Sequence, residues 1–336
     1  MDFSKIFIKN ACPTRIGGQA VMSGIMMRGE DRTAVVLRKK DGTLHMKTQI
    51  LKKHGSLFKI PLIRGIFVFV DSLVMGTSTL MYSAQILEDD MEEEPVEGKF
   101  SAWITEKFGS KFLWNLMLYF SVIIAIVFSV GVFIILPTAV VALCKNFTNN
   151  SIILNLIEGI LRLLMFIVYI AVISLMKDIK EVFQYHGAEH KCIHAFENNK
   201  ELTPENCQFF ETLHPRCGTS FLMFVIVISL LLFSLLGWPN LLLRIISRLL
   251  LVPLIAGISY EILRYAGKSD SLLVKILSIS GLLLQKITTK TPDNKQLEVA
   301  IAAVKAVLVP REEPEYEGQV GLDGKPVLPE VETNED

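Results

Sequence analysis

The sequence predicts an α-helical polytopic membrane protein with about four transmembrane helices, a small N-terminal cytoplasmic region that contains a β-hairpin, and interfacial helices. Three observations lead to this prediction. The 336 residues are 51% hydrophobic, and much of that content lies in apolar runs of the length that a helix needs to cross a bilayer, about 20 residues. Charged segments separate these runs. Basic residues gather at the N-terminal end of the chain and acidic residues at the C-terminal end.

Residues 1–60 are predicted to form a cytoplasmic region with a β-hairpin. The runs 34–37 and 44–50 flank an Asp41-Gly42 pair, which is a strong hairpin signal because both residues tolerate positive φ. No apolar core of the length of a cleavable signal precedes Asn10. We therefore expect this region to stay in the cytoplasm.

The glycine-rich segment 15–29 lies before the predicted hairpin. Its glycines permit close backbone approach, but the G-x-G-x-x-G spacing of a dinucleotide-binding loop and its preceding strand are missing. We expect a structural turn against the membrane domain here rather than a ligand-binding loop.

Residues 61–87 are predicted to form an interfacial or re-entrant helix. The stretch is apolar and begins with Pro61, a common first-turn residue. It also carries Arg64 and Asp71, and charges of this kind are costly in the bilayer core. The acidic run that follows predicts a solvated linker at 88–100.

Residues 101–288 are predicted to form the membrane domain, which contains a cytoplasmic His-rich loop at 177–218. That loop carries five basic residues, whereas the two short turns between spans carry at most one. Basic residues favour the cytoplasmic side, so the protein is expected in the cell membrane as a multi-pass chain with both termini cytoplasmic. The four predicted spans are 112–143, 152–176, 221–236 and 241–263.

The last part of the chain is predicted to leave the membrane. Residues 271–285 are too short and too interrupted by Lys275 to cross, and we expect an amphipathic helix on the inner surface. Residues 289–336 are predicted to be an acidic, largely disordered tail.

Two pairs of charged residues lie within the predicted spans. Glu158 and Arg162 are four residues apart in the second span, which predicts an internal salt bridge or a polar cavity. Arg244 and Arg248 lie at the start of the fourth span. For these two we expect side chains that extend outward to the membrane interface.

Overall charge and cysteine content narrow the functional classes. The 34 basic and 34 acidic residues balance, and the basic N-terminal region is best interpreted as a topology signal and a lipid-facing charge. Nucleic acid is not an expected partner, whereas membrane lipid and other membrane proteins are. The five irregularly spaced cysteines give no disulfide framework, which fits a reducing compartment. The sequence indicates no oligomeric state.

A cluster of histidines predicts a divalent metal site, most simply for Zn²⁺. Steps of four residues put three histidines on one face of a helix, and 186–190 reads H-x-x-E-H, an inverted zinc-protease motif. Such a short match also arises by chance, and histidines on a helix face are often simply hydrogen-bonded. The predicted ligands are His186, His190, His194, His214 and Cys217, with Glu189 as the catalytic residue.

Four separated segments resemble signature motifs of the bacterial DUF1385 family, and the resemblance covers about residues 15–288. The resemblance implies a multi-pass membrane protein, of a family labelled as predicted metal-dependent enzymes. By matching position it implicates His186, Glu189, His190, His194, His214 and Cys217. The four segments are Gly17–Arg28, Pro61–Gly65, Tyr185–Lys191 and His214–Phe221.

Two functions of different class stay open. In the first, the protein is a metal-dependent hydrolase in which His186 and His190 bind the ion, one of the other donors completes three ligands, and Glu189 is the general base. In the second, it is a membrane scaffold or an assembly factor for membrane proteins. The same donors then form a closed structural metal site or a hydrogen-bonded cluster.

Overall fold

The computed structural model describes residues 6, 14–52, 55, 58, 60–89, 110–237, 240–266 and 272–327. Most of the predicted acidic linker 88–100 lies outside these residues. The chain divides into two compact units. The first unit comprises 1–87, 170–224 and 256–336, and the second comprises 88–169 and 225–255.

The first unit is built on a five-stranded antiparallel sheet in which each strand pairs with the next along the chain. The predicted hairpin is confirmed, with Arg38 opposite Leu44 across a turn in which Gly42 has φ +89°. The strands are β1 Gly17–Val21, β2 Gly24–Arg28, β3 Arg32–Arg38, β4 Leu44–Ile50 and β5 Glu317–Val320.

The prediction of a structural turn at 15–29 is wrong, because this segment supplies β1 and β2. A tight turn at Ser23, with φ +52°, joins the two strands. The residues of β2 are buried on both faces of the sheet. A strand covered on both faces loses the alternation of apolar and polar residues by which a strand is recognised.

Ten α-helices are described, and a π-helical turn at Gly131–Ile135 joins the second to the third. The helices are α1 Ile63–Asp89, α2 Ser110–Val130, α3 Leu136–Ala142, α4 Ser151–Ile173, α5 Lys177–Glu197, α6 Pro204–Gln208, α7 Gly218–Ser234, α8 Leu241–Ala266, α9 Leu272–Thr288 and α10 Asn294–Val307.

The prediction of a largely disordered tail at 289–336 is wrong for the described part of that segment. Helix α10 is buried in the core of the first unit, and a capping box of Asp293 and Gln296 fixes its start. Strand β5 then pairs with β4. The acidic residues that suggested disorder mostly follow the helix, while the helix itself is rich in alanine, which favours helix and allows close packing.

Helix α1 packs along one face of the sheet. Met75, Tyr82 and Ile86 contact the apolar side chains of that face. Asp71 forms a 2.7 Å salt bridge with Arg28 of β2. The negative charge of Asp71, which argued against a position in the bilayer core, is thus neutralised by an arginine of the sheet.

Within the part of the chain that the structure describes, four helices are long and apolar enough to cross a membrane, which agrees in number with the prediction. However, these four helices are not the same four segments that were predicted as spans. Residues 63–88 qualify by length and composition although an interfacial helix was predicted, and Gly218–Ser234, where the third span was predicted, has only 17 residues. The qualifying segments are Ile63–Glu88, Tyr119–Ala142, Ser151–Ile173 and Leu242–Tyr265.

The predicted pair of Glu158 and Arg162 in the second unit is confirmed at 2.5 Å. The prediction that Arg244 and Arg248 extend outward is wrong, because both are buried and Arg248 bonds both oxygens of Glu158. Glu158 lies far from Arg248 in sequence, so local spacing could not reveal this partner.

Candidate metal centre

Helix α5 carries the predicted stripe of histidines, so most of the predicted loop 177–218 is in fact helical. Gly187 lies within this helix, and a Cβ there would come within 2.1 Å of the carbonyl oxygen of Lys290. The glycine therefore allows the segment after α9 to approach the helix closely. Close by, the backbone carbonyl of Thr288, the last residue of α9, lies against His186.

Three of the predicted donors converge in the first unit. One ligand atom each from His186, His190 and Cys217 lies within 4.8 Å of the other two, and Nε2 of His186 is 3.2 Å from Sγ of Cys217. Imidazole and thiolate are the donors that zinc prefers. We call these three residues the metal triad.

Backbone carbonyls orient both imidazole rings of the metal triad. Nδ1 of His186 donates to the carbonyl of Thr288 at 2.8 Å, and Nδ1 of His190 donates to the carbonyl of Thr212 at 2.5 Å. A carbonyl can only accept, so in the neutral form of each ring the proton lies on Nδ1 and Nε2 carries the lone pair that can bind a metal. A hydrogen bond from the second ring nitrogen to a carbonyl commonly fixes the tautomer and orientation of a histidine that binds metal.

The imidazoles favour the thiolate form of Cys217. Burial raises the pKa of this thiol, but His190 and His186 more than offset that effect and hold the pKa well below its usual value. Burial likewise lowers the pKa of His186, but Cys217 opposes this and the pKa rises to about 9. The thiolate is the form that binds metal.

Glu189 is buried beside the metal triad. Its Oε1 accepts a 2.8 Å hydrogen bond from the backbone N–H of Gly18 in β1. Burial raises the pKa of Glu189, and His186 and His190 oppose that rise. Two buried atoms at this site lack a hydrogen-bond partner among the described residues, namely Oε2 of Glu189 and Nε2 of His190.

The other two predicted ligands form a second group with Glu197, and all three residues are buried. In this group His194 donates from Nε2 to the carbonyl of Leu213 at 3.0 Å, and Nε2 of His214 lies 3.4 Å from Glu197. Burial, followed by the proximity of His214, lowers the pKa of His194 to about 3. His194 is therefore neutral.

Glu197 joins three parts of the first unit. It accepts from the backbone N–H and the hydroxyl of Thr14 at 3.0 and 3.1 Å, and from Arg216 at 2.5 Å. Burial raises the pKa of Glu197, but the hydrogen bond from His214 and the other donors lower it to about 2. Since its oxygens are already hydrogen-bonded, this second group is better suited to hold the loop 212–217 than to hold an ion.

Sequence reasoning missed Gly18 and Glu197. Glu197 lies seven residues after His190, which is the same helical face, so spacing could have identified it. No local signal connects Gly18 with Glu189, which comes 171 positions later in the chain. The five predicted ligands thus separate into the metal triad and the Glu197 group.

Comparisons with known proteins identify relatives but no activity. A family described as "Protein of unknown function (DUF1385)" matches residues 60–309. The "Uncharacterized protein YqhQ" of Bacillus subtilis (strain 168) is 34% identical over 306 residues, which covers 89% of this chain and 94% of that protein. No solved structure matches the chain significantly.

Proposed function

Since the chain belongs to the DUF1385 family, whose function is unknown, we propose from the geometry of the metal triad that it is a membrane-bound metal-dependent hydrolase. The divalent ion, most simply Zn²⁺, binds His186, His190 and Cys217 at the cytoplasmic face of the membrane. Glu189 acts as the general base.

The unpartnered Nε2 of His190 carries this proposal. A buried nitrogen that lacks a hydrogen bond is costly, yet here Nδ1 of the same ring is committed to the carbonyl of Thr212. The free lone pair sits within a group that also contains His186 and Cys217. A bound cation would satisfy it, because catalytic zinc sites use three protein ligands drawn from His, Cys and carboxylate side chains.

A divalent ion held by His186, His190 and Cys217 would supply Lewis-acid chemistry, which polarises a carbonyl group and lowers the pKa of water toward neutrality. Gly18 fixes one oxygen of Glu189 and leaves Oε2 to accept a proton from that water. The water oxygen would then bond to the carbonyl carbon of an amide or ester, and the bond from that carbon to the amide nitrogen or the ester alkoxy oxygen would break. Glu189 returns the proton to the departing amine or alcohol.

The connectivity of the first unit supports a topology in which α1 does not cross the membrane. Helix α5 and strand β1 share the hydrogen bond between Glu189 and Gly18, so both lie on the same side. Three candidate spans among the described residues separate them along the chain, namely Ile63–Glu88, Tyr119–Ala142 and Ser151–Ile173. Strand β1 and helix α5 lie on the same side of the membrane only if an even number of these segments crosses it. We exclude Ile63–Glu88, because helix α1 packs along the sheet.

The same argument applies to α7 and α8. Helix α10 packs with α5 in one core, so an even number of crossings separates these two helices as well. If α8 crosses, α7 crosses too, although its 17 residues span only about 26 Å. A bilayer adapts to a span a few Å short by thinning locally. This topology has four spans, with both termini and the metal triad in the cytoplasm.

A scaffold or assembly factor for membrane proteins is the second candidate function. The Glu197 group favours it, because its hydrogen bonds join Thr14, α5 and the loop 212–217 into a rigid cytoplasmic body. In this interpretation the metal triad holds a structural ion, and Glu189 fixes β1 through Gly18.

Replacement of Glu189 by Gln separates the two functions. Gln keeps the acceptor for the N–H of Gly18 but cannot take up a proton. We expect Glu189→Gln to retain the metal and the thermal midpoint of the purified protein, yet to fail to complement a strain that lacks the gene. The control is Glu201→Gln, which removes an exposed carboxylate and should complement fully.

Full complementation by Glu189→Gln at full metal occupancy would end the hydrolase proposal and favour the scaffold. Loss of the metal in this variant would assign Glu189 to the support of the ligands, because partners that orient ligands typically contribute about tenfold or more to metal affinity.

A further inference from the structure

Two arginines converge on one carboxylate in the second unit. Arg248 bonds both oxygens of Glu158, with a distance of 2.8 Å to Oε2. Arg162 donates to Oε1 at 2.5 Å, and the hydroxyl of Thr138 donates to the same oxygen at 2.6 Å. Glu158 is 1% exposed and the side chain of Arg248 is 5% exposed.

The positive charge of this cluster exceeds its negative charge. Glu158 is the only acidic residue in 110–169 and 225–255, whereas a guanidinium stays charged at any physiological pH. Among the described residues, Nε of Arg162 has no hydrogen-bond partner. Excess buried charge is unfavourable unless an anion accompanies it.

An aromatic ring holds the two guanidinium groups in place. The ring of Phe233 lies 5.7 Å from the guanidinium carbon of Arg162 and 5.4 Å from that of Arg248. Asn155 accepts from Arg248 at 3.1 Å and fixes it further. These contacts fix both guanidinium groups and use the terminal nitrogens of Arg248. Nε of Arg162 remains available to an anion oxygen.

The cluster lies near the ends of its helices. Glu158 and Arg248 are each about 10 Å from the start of α4 and α8, at a rise of 1.5 Å per residue. Side chains on a helix tilt toward its N-terminus, so Arg162 reaches back toward the same end. The headgroup layer of a bilayer is about 5–8 Å thick, and a lipid phosphate can thus come close to the cluster.

We propose that Arg162, with the added positive charge of Arg248, forms a binding site for a phosphate oxyanion. The site takes the headgroup phosphate of an anionic phospholipid or a free phosphate anion from the adjacent aqueous phase. Glu158 sets the spacing of the arginines and limits their excess charge.

The test uses the full chain, purified in detergent and freed of lipid. Its thermal midpoint is measured with phosphatidylglycerol, with diacylglycerol of the same acyl chains, and with inorganic phosphate. We expect phosphatidylglycerol to raise the midpoint and diacylglycerol to leave it unchanged. A rise with inorganic phosphate alone would assign the site to a free anion. Equal effects of both lipids without an effect of phosphate, or no effect of any probe, would overturn the proposal.

Two variants link the effect to the cluster. Arg162→Gln should weaken binding of the effective probe by about tenfold, since a hydrogen bond to a charged group contributes on this scale. Glu158→Gln should strengthen binding, because it increases the excess of positive charge. The control is Arg264→Gln, which removes an exposed arginine from α8, the helix of Arg248. Equal affinities of Arg162→Gln and Arg264→Gln would contradict the proposal even if Glu158→Gln fails to fold.

Discussion

The backbone N–H of Gly18 donates a 2.8 Å hydrogen bond to Oε1 of Glu189, and this bond joins the first strand of the sheet to the helix of the metal triad. A Cβ at position 18 would lie 2.4 Å from the carbonyl oxygen of Met26 and 3.2 Å from the carboxyl carbon of Glu189. Only glycine lets this strand come so close to the carboxylate.

Gly18→Ala is therefore expected to displace β1 and to weaken the hold on Glu189. The cost should be about 1–3 kcal/mol in the free energy of unfolding, as for other overpacked sites, together with a loss of complementation. Gly17→Ala is the matched control, because a Cβ there meets nothing within 4 Å. Equal midpoints for the two variants in thermal unfolding would show that the close approach does not matter.

Metal binding is the second prediction. We expect about one divalent ion per purified chain, lost when His186 and His190 are both replaced by Ala, because two of three ligands are then gone. His45→Ala removes a histidine that bonds Tyr82, away from the metal triad, and should leave the metal content unchanged. Elemental analysis of the purified variants measures the stoichiometry.

Chelation supplies an independent check on the same ion. A chelator should lower the thermal midpoint of the wild-type protein, since an ion that binds only the folded state stabilises it, and it should not affect the double variant. Wild-type protein that is metal-free, as stable as before and unable to take up zinc would refute the site.

The buried pair of Glu158 and Arg248 yields a third prediction. Measured in detergent without lipid, Arg248→Gln should reduce the free energy of unfolding by about 3–5 kcal/mol, because it removes one partner of a buried ion pair. The double variant with Glu158→Gln should lose less than the sum of the two single losses. Arg264→Gln again serves as the exposed control. Strictly additive losses would mean that the two side chains do not interact.

The fourth prediction concerns topology. A cysteine introduced at Lys200, which is exposed beyond the end of α5, should react with a membrane-impermeant thiol reagent only after the cells are opened. A cysteine at Phe147, which is 90% exposed in the turn before α4, should react in intact cells. The unaltered chain provides the baseline for its own cysteines. Labelling of position 200 in intact cells would invert the proposed orientation.

Features that depend on neighbours along the chain could be predicted from the sequence. The stripe of His186, His190 and His194 follows from the period of a helix, and the turn at Asp41 and Gly42 follows from local backbone preference. The salt bridge between Glu158 and Arg162 also needed only a spacing of four residues. Each of these predictions is confirmed by the structure.

Tertiary structure alone decided which of the five predicted ligands come together. The loop 212–217 brings Cys217 to His186 and His190 but directs His214 to Glu197. Both are polar donors in the same short segment, so composition could not distinguish them. The positions of the two side chains depend on the fold around them. Gln285 of α9 accepts from the backbone N–H of His214 and donates to its carbonyl, which fixes the backbone at this residue.

Contacts between distant parts of the chain likewise required the fold. Arg248 reaches Glu158, Gly18 reaches Glu189, and β5 joins the sheet that begins near the other end of the chain. Periodicity and turn chemistry describe only a few adjacent residues, whereas these contacts form because burial of apolar surface brings remote segments together. For that reason the residue types of the candidate site could be recognised in the sequence, but which of these residues come together and what supports them could not.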